Sequence, residues 1–302
     1  MTTIRHPAGA AEGALVRPRP STISRFRRAR RLVFHGAVRG LVGGVRRAPR
    51  PLAEATLVAL ARLARATRSR ERAVARRQAR AAFPEGSAAR TEAVADASWI
   101  RLARDLVDMI RADVDVELDE QAAQRLAEAR ARGPVLLLMA HLGAWELVGP
   151  ALAARMAPFG AVTANPHNDR VDAWLRAERA ARGVTVFDRE RELGAAARWL
   201  RRGGTLAVLA DHRPRGARVA APWFADRVPT TTGPGRLAHG ASATILPVGV
   251  VRRGRGHRLI VGEAFHPEGD REVDASRCNA ALEQLVRQDP EGWTWIHARA
   301  AD

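Results

Sequence analysis

Lysine and tyrosine are missing from this 302-residue chain, and cysteine occurs once, at Cys278. Without lysine there is no P-loop phosphate lysine, no Schiff base and no pyridoxal-phosphate anchor. A lone cysteine excludes an internal disulfide framework and any multi-thiolate zinc or iron–sulfur site. No apolar run reaches the ~18–20 uncharged residues needed to span a bilayer. The missing tyrosine and the heavy arginine and alanine usage fit a compositional bias of the genome.

What remains is 46% hydrophobic, enough for a sizeable buried core. The net charge is +18, carried entirely by arginine, and it is unevenly placed. Residues 1–50 hold 12 arginines and one acid, residues 51–100 hold nine and five, and the rest of the chain is nearly neutral. A basic N-terminal arm suits an anionic surface: phospholipid headgroups, nucleic acid or an acidic carrier protein. Within it Leu32 to Val45 is apolar, interrupted by Arg39 and four glycines and flanked by arginine clusters. That length reads as an interfacial segment with snorkelling arginines, starting too late and too basic for a signal peptide. A disordered basic tail is the alternative for residues 1–24. Nucleic acid is the weaker partner: only Phe26 and Phe34 are available for stacking in the arm, and no zinc-finger, helix-turn-helix or RNP pattern occurs.

The chain divides into a basic arm, 1–50, and one α/β body, 51–302, helical over 51–112 and sheet-bearing over 133–302. Residues 51–82 read as a helix closed by Pro84, and Thr91 to Arg111 as a second with Trp99, Leu102, Leu106, Met109 and Ile110 at helical spacing. From Gly133 short apolar runs alternate with helices. Strands are expected at 135–140, 161–164, 184–187, 205–210 and 245–251, a hairpin partner at 258–262, and helices at 169–182, 193–202 and 275–287. Apolar strands without alternation, separated by helices, predict a mostly parallel central sheet flanked by helices.

Ligands of such sheets bind beyond the carboxyl ends of the strands. Directly after the first strand stands His141-Leu142-Gly143-Ala144-Trp145-Glu146. A histidine there can act as general base, with a carboxylate orienting its ring. Five residues apart on one helix would face away from each other, so His141 must lie in the turn and Glu146 in the helix's first turns. Gly143 would bend the backbone and bring N–H groups near a reacting carbonyl. A satisfied structural pair is the alternative. Asp211 and Arg213 follow the fourth apolar strand and open toward the same edge, to orient an acceptor or to form an ion pair. No Gly-x-Ser-x-Gly elbow is present; Gly240-Ala241-Ser242-Ala243-Thr244 ends in threonine. A metal site at Asp211-His212 lacks any further ligand cluster of recognisable spacing.

The block Val135–Leu147 resembles the HX4(D/E) region of lipid A biosynthesis acyltransferases, including the related phosphatidylinositol mannoside acyltransferases. Further resemblances follow in order: Ala82-Phe83-Pro84-Glu85, with Gln78 where asparagine is usual; Arg179 to Gly183; Leu209 to Arg213; Trp223-Phe224, with Ala225 in place of glycine; Thr232 to Ala238; and Pro290 to His297. The likeness runs from about residue 52 to the end. It implies a glycerolipid acyltransferase-like α/β fold and a membrane-associated O-acyltransferase without a cofactor. The donor would be an acyl thioester of acyl carrier protein or coenzyme A, and the acceptor a hydroxyl of a glycolipid such as a lipid A precursor. His141 and Glu146 would then be catalytic, and Arg179, Asp211 and Arg213 substrate-binding. A solvated helix face is the alternative for Arg179, and core packing for Trp145, Trp223 and Phe224 as acyl-groove residues. The expected location is the cytoplasmic face of the inner membrane, peripheral or interfacial. The competing acceptor is a phosphatidylinositol mannoside or another glycolipid. The competing class is a non-catalytic protein that binds membrane or nucleic acid. The oligomeric state is not legible.

Overall fold

A computed structural model describes residues 22–164 and 168–299, the side chains of 22–31 excepted. The first 21 residues, most of the stretch read as a possible disordered tail, lie outside the described residues. Helix α1 (Thr22–Arg47) is followed by α2 (Arg50–Thr67), α3 (Ser69–Ala82) and α4 (Ala88–Arg111). The single helix expected over 51–82 is therefore two. Arg68, at φ −96° and ψ 73°, leaves the helical region and turns the chain. Ser87 caps α4 by accepting from the Arg90 amide, and Ala112 ends it in the left-handed region at φ 52°.

A seven-stranded sheet follows, with the order β1-β9-β8-β2-β5-β3-β4. Its strands are β1 (Val116–Glu117), β2 (Val135–Met139), β3 (Phe159–Thr163), β4 (Thr185–Asp188), β5 (Thr205–Leu209), β8 (Thr244–Arg253) and β9 (Gly256–Val261). All neighbours pair parallel except β8 with β9, the expected hairpin. Strand β2 is buried along its whole length between β5 and β8, which is why it carries only Val, Leu and Met.

Helices cover both faces: α5 (Glu120–Ala131), α6 (Val148–Leu152), α7 (Asp169–Ala180), α8 (Leu193–Arg201), α9 (Gly233–His239) and α10 (Arg271–Gln288). One core contains Leu136, Leu138, Leu200, Leu282, Trp293 and Trp295; the other contains Leu137, Met139, Leu147, Leu152 and Phe159. The alternation of 136/138 with 137/139 is the strand period sending neighbours to opposite faces. A separate hairpin, β6 (Arg218–Trp223) with β7 (Asp226–Thr231), was not anticipated, nor were β1 and α5. The apolar stretch of β6 is broken in pattern by Pro222, β7 is mostly polar, and β1 has only two residues.

The helical region is fastened to the sheet by charge as well as packing. Asp105 and Asp108 on α4 are fully buried and receive Arg252 from the end of β8; Asp108 also takes Arg50 and the His257 Nε2 at 2.8 Å. Burial alone would raise the Asp108 carboxyl, but the His257 hydrogen bond and the two arginines hold it below the ordinary range. Asp105, for which desolvation outweighs its arginines, lies above its ordinary value.

Candidate active site

Strands β2 and β5 are adjacent and in register, with Met139 opposite Leu209. The ladder continues one step, as the Ala210 amide donates to the Met139 carbonyl at 3.0 Å. Two residues past each strand end stand His141 and Asp211. Their meeting is a consequence of register, although 70 residues separate them in the chain.

The Asp211 carboxylate is 1% exposed and fully used. Oδ1 lies 2.8 Å from His141 Nδ1; Oδ2 accepts the His141 amide and the Trp293 indole N–H, each at 2.8 Å. Burial would raise this carboxyl, yet the charge and hydrogen bonds of His141 drive it far below the usual carboxylate range. A carboxylate at Nδ1 makes that nitrogen the N–H and leaves Nε2 as the basic one. The ring is held from both sides. Trp145 meets it edge-on at 5.0 Å, and His212 stacks parallel to it at 3.7 Å with an interplanar angle of 4°.

The expected His141–Glu146 contact does not form. Glu146 lies in a 3-10 turn, Trp145–Leu147, and takes a two-pronged pair from Arg179, with Nε to Oε2 at 3.1 Å and Nη2 to Oε1 at 2.7 Å. The carboxylate that orients the imidazole is Asp211, because the strand-to-helix turn sends Glu146 toward α7. Arg179 is accordingly not a solvated helix face. The second expectation to fail concerns Gly143. It does bend the backbone, at φ +57°, where a Cβ would lie 2.0 Å from the Val250 carbonyl oxygen. Its amide, however, donates to the Gly292 carbonyl at 2.9 Å, and those of His141 and Leu142 are also engaged. None of the three is free for a reacting carbonyl. Asp211 and Arg213 form no ion pair either; Arg213 is exposed and without a partner among the described residues.

The reason for the tight turn is the C-terminal segment. Leu142 bridges to Trp293, and the Thr294 amide donates to the His141 carbonyl at 3.2 Å. Sequence reasoning missed Trp293, His212 and Arg299 as neighbours of the site. His212 stood in the Leu209–Arg213 block and Trp293 in the Pro290–His297 block, but neither carries a spacing that points to the turn at residue 141.

An apolar pocket reaches Trp145, the ring that meets the imidazole edge-on. Met139, Trp145, Val148, Phe159, Val184 and Leu209 line it, and Glu146, Arg179 and Arg182 form its polar edge. Trp145 is thus shared between cavity and imidazole, whereas Trp223 and Phe224 pack in the core on the opposite face of the sheet. Two groups among the described residues have ligand atoms close enough for a metal: His141/Asp211/His212 and Asp105/Asp108/His257. In the first, both Asp211 oxygens are committed and parallel rings do not converge on one point. In the second, the Arg252 guanidinium stands against both carboxylates.

Residues 24–300 match the family described as bacterial lipid A biosynthesis acyltransferase. No curated protein matches the chain.

Proposed function

Since the chain belongs to the bacterial lipid A biosynthesis acyltransferase family, a family of acyltransferases, we propose that it moves a fatty acyl chain from a thioester to a hydroxyl of a glycolipid. The observation that carries this reading is the His141–Asp211 pair, whose imidazole meets Trp145, a residue that also lines an apolar pocket. An imidazole with its Nδ1–H on a buried carboxylate and its Nε2 toward open space is built to take a proton from a hydroxyl. An apolar trough with a charged lip is built to hold an alkyl chain whose reacting end stays polar.

The chemistry follows from these roles. His141 Nε2 removes the acceptor hydroxyl proton as the oxygen attacks the thioester carbonyl. Asp211 keeps the ring in the correct tautomer and stabilises the imidazolium. Collapse of the tetrahedral intermediate breaks the carbon–sulfur bond, and His141 returns the proton to the departing thiolate. The oxyanion needs a donor other than the three engaged amides. A guanidinium on this edge supplies it, either the N–H groups of Arg179 not used by Glu146 or Arg213. Arg213 otherwise serves an acceptor phosphate. The donor is an acyl carrier protein or coenzyme A thioester, and the acceptor a lipid A precursor or a related glycolipid.

Membrane adsorption through the N-terminal helices is part of the proposal, and exposed apolar side chains there support it. No described helix is long and apolar enough to cross a membrane. Leu32, Val33, Phe34 and Leu41 on α1 and Leu52, Leu60 and Leu63 on α2 are nonetheless exposed. Transfer of each such side chain from water to the acyl boundary is worth roughly 1.5–3 kcal/mol, and the arginines between them reach phosphates. The inner leaflet is the proposed location.

Lipid mass spectrometry of a strain lacking the gene tests the proposal. The expected result is a glycolipid short of one acyl chain, restored by the wild-type gene and not by His141→Ala. An unchanged glycolipid profile overturns it.

A further inference from the structure

The side chain following Asp211 has no role in the transfer just described, yet it makes the closest ring contact in the site. The His212 ring lies flat on His141, centroids 3.7 Å apart and planes within 4°. His297 closes the far side of His212 at 4.3 Å, tilted by 50°. His212 Nε2 is buried with no hydrogen-bond partner among the described residues. Its contribution to His141 is therefore through the ring face.

Stacking at this distance works only if one of the two rings stays neutral, because two imidazolium rings in contact would repel. The surroundings decide which. Burial above all depresses the His212 pKa, to about 4; Asp211 opposes, while charge on His141, His297 and Arg299 pushes the same way as burial. His297 is likewise depressed, by burial and by charge on His141 against the pull of Asp211. Arg299 keeps its charge at neutral pH even with its pKa lowered to about 10 by burial. Its guanidinium lies over Trp223 at 3.8 Å and donates to the Asn279 side-chain carbonyl at 2.7 Å. The charge of Arg299, which disfavours a proton on His212, and a buried carboxylate on His141 arrange the two rings as neutral platform and proton acceptor.

We propose that His212 is a positioning residue for the acyl transfer: its neutral ring fixes the plane of His141 and presents a π face to the imidazolium formed when the acceptor hydroxyl gives up its proton. The inference rests on His141 being the base of the proposed reaction. His212 exchanges no proton; the hydroxyl proton passes to His141 Nε2 and then to the thiolate. An imidazolium over a desolvated π face gains as other cations do over aromatic rings, and the gain exists only in the charged, transition-state-like form. The effect should therefore appear in kcat more than in KM.

The test combines turnover with a titration. Purified full-length protein is assayed with palmitoyl thioesters of coenzyme A and of acyl carrier protein on the glycolipid extract of the deletion strain. His212→Asn, which removes the π face, should lower kcat about tenfold with KM nearly unchanged. His212→Phe, which keeps the face and cannot titrate, should recover most of that loss. Nitrogen-15 histidine spectra of the wild-type protein should show His212 still neutral at about pH 6, a measurement that needs no variant to fold. The inference is overturned if His212→Asn turns over like wild type while His141→Ala is inactive, if Phe is as impaired as Asn, or if His212 is protonated at about pH 6. An active His141→Ala would instead overturn the proposed function itself.

Discussion

Among the described residues, two carboxylate–imidazole pairs have the same length. His141 Nδ1 meets Asp211 and His257 Nε2 meets Asp108, both at 2.8 Å. The His257 side chain has no exposure at all, and its carboxylate also carries Arg50 and Arg252. The His141 side chain is 19% exposed and meets Trp145, which lines an apolar pocket. Distance alone therefore does not make a site. The His257–Asp108 pair ties α2 and α4 to the end of the sheet. The His141–Asp211 pair has the same bond length, but its imidazole is partly exposed, where a substrate can reach it.

The comparison breaks most sharply under substitution. Asp211→Asn and His141→Ala should each reduce kcat at least a thousandfold, about 4 kcal/mol, while the melting temperature changes little for His141→Ala. If Asp108→Ala cost as much activity without unfolding the protein, the two pairs would not differ in kind. The expected outcome for Asp108→Ala is structural: roughly 3–5 kcal/mol of stability lost in denaturant titration, because Arg252 and His257 remain buried without their shared anion.

Acid should separate the pairs more gently. The folded His212 pKa lies near 4 against 6.5 for a free imidazole, so the unfolded chain takes up this proton first. Stability should fall as pH drops from about 6.5 to 4, by at most ~3 kcal/mol, and His212→Phe should flatten that slope. Asp211, whose pKa is depressed, stabilises the fold throughout this window and its contribution is lost only at lower pH. Melting temperature against pH, for wild type and variant, checks both. The smallest effect is expected at a surface pair, Arg46 on α1 with Glu178 on α7 at 2.5 Å. Arg46→Ala should cost about 0.5 kcal/mol at low salt and nothing measurable at high salt.

Much of the sheet was legible because its strands are short apolar runs bounded by glycine-marked helices. Boundaries at 135, 205 and 258 fall within a residue or two of the observed ones. The break at Arg68 was not legible, since leucines and arginines on either side keep one helical pattern. The β6–β7 hairpin was missed because its buried positions alternate while its polarity does not: exposed Ala220 and Pro222 are as apolar as buried Ala221, and buried Thr230 is polar. At the site, His141 was found by its place after a strand. The choice between Glu146 and Asp211 as its partner was not, because sequence proximity favoured the residue five positions away.

Composition and pattern by themselves determined that this is an arginine-only, thiol-poor α/β protein, and that a histidine stands at a strand's carboxyl end. Which carboxylate faces that histidine was decided by the tertiary structure. Strand order places β5 beside β2, and the parallel hydrogen-bond ladder brings residue 211 level with residue 141. Local sequence carries no term for which distant strand will be the neighbour. That choice comes from burying two apolar faces at once, and the chemistry of the imidazole inherits it.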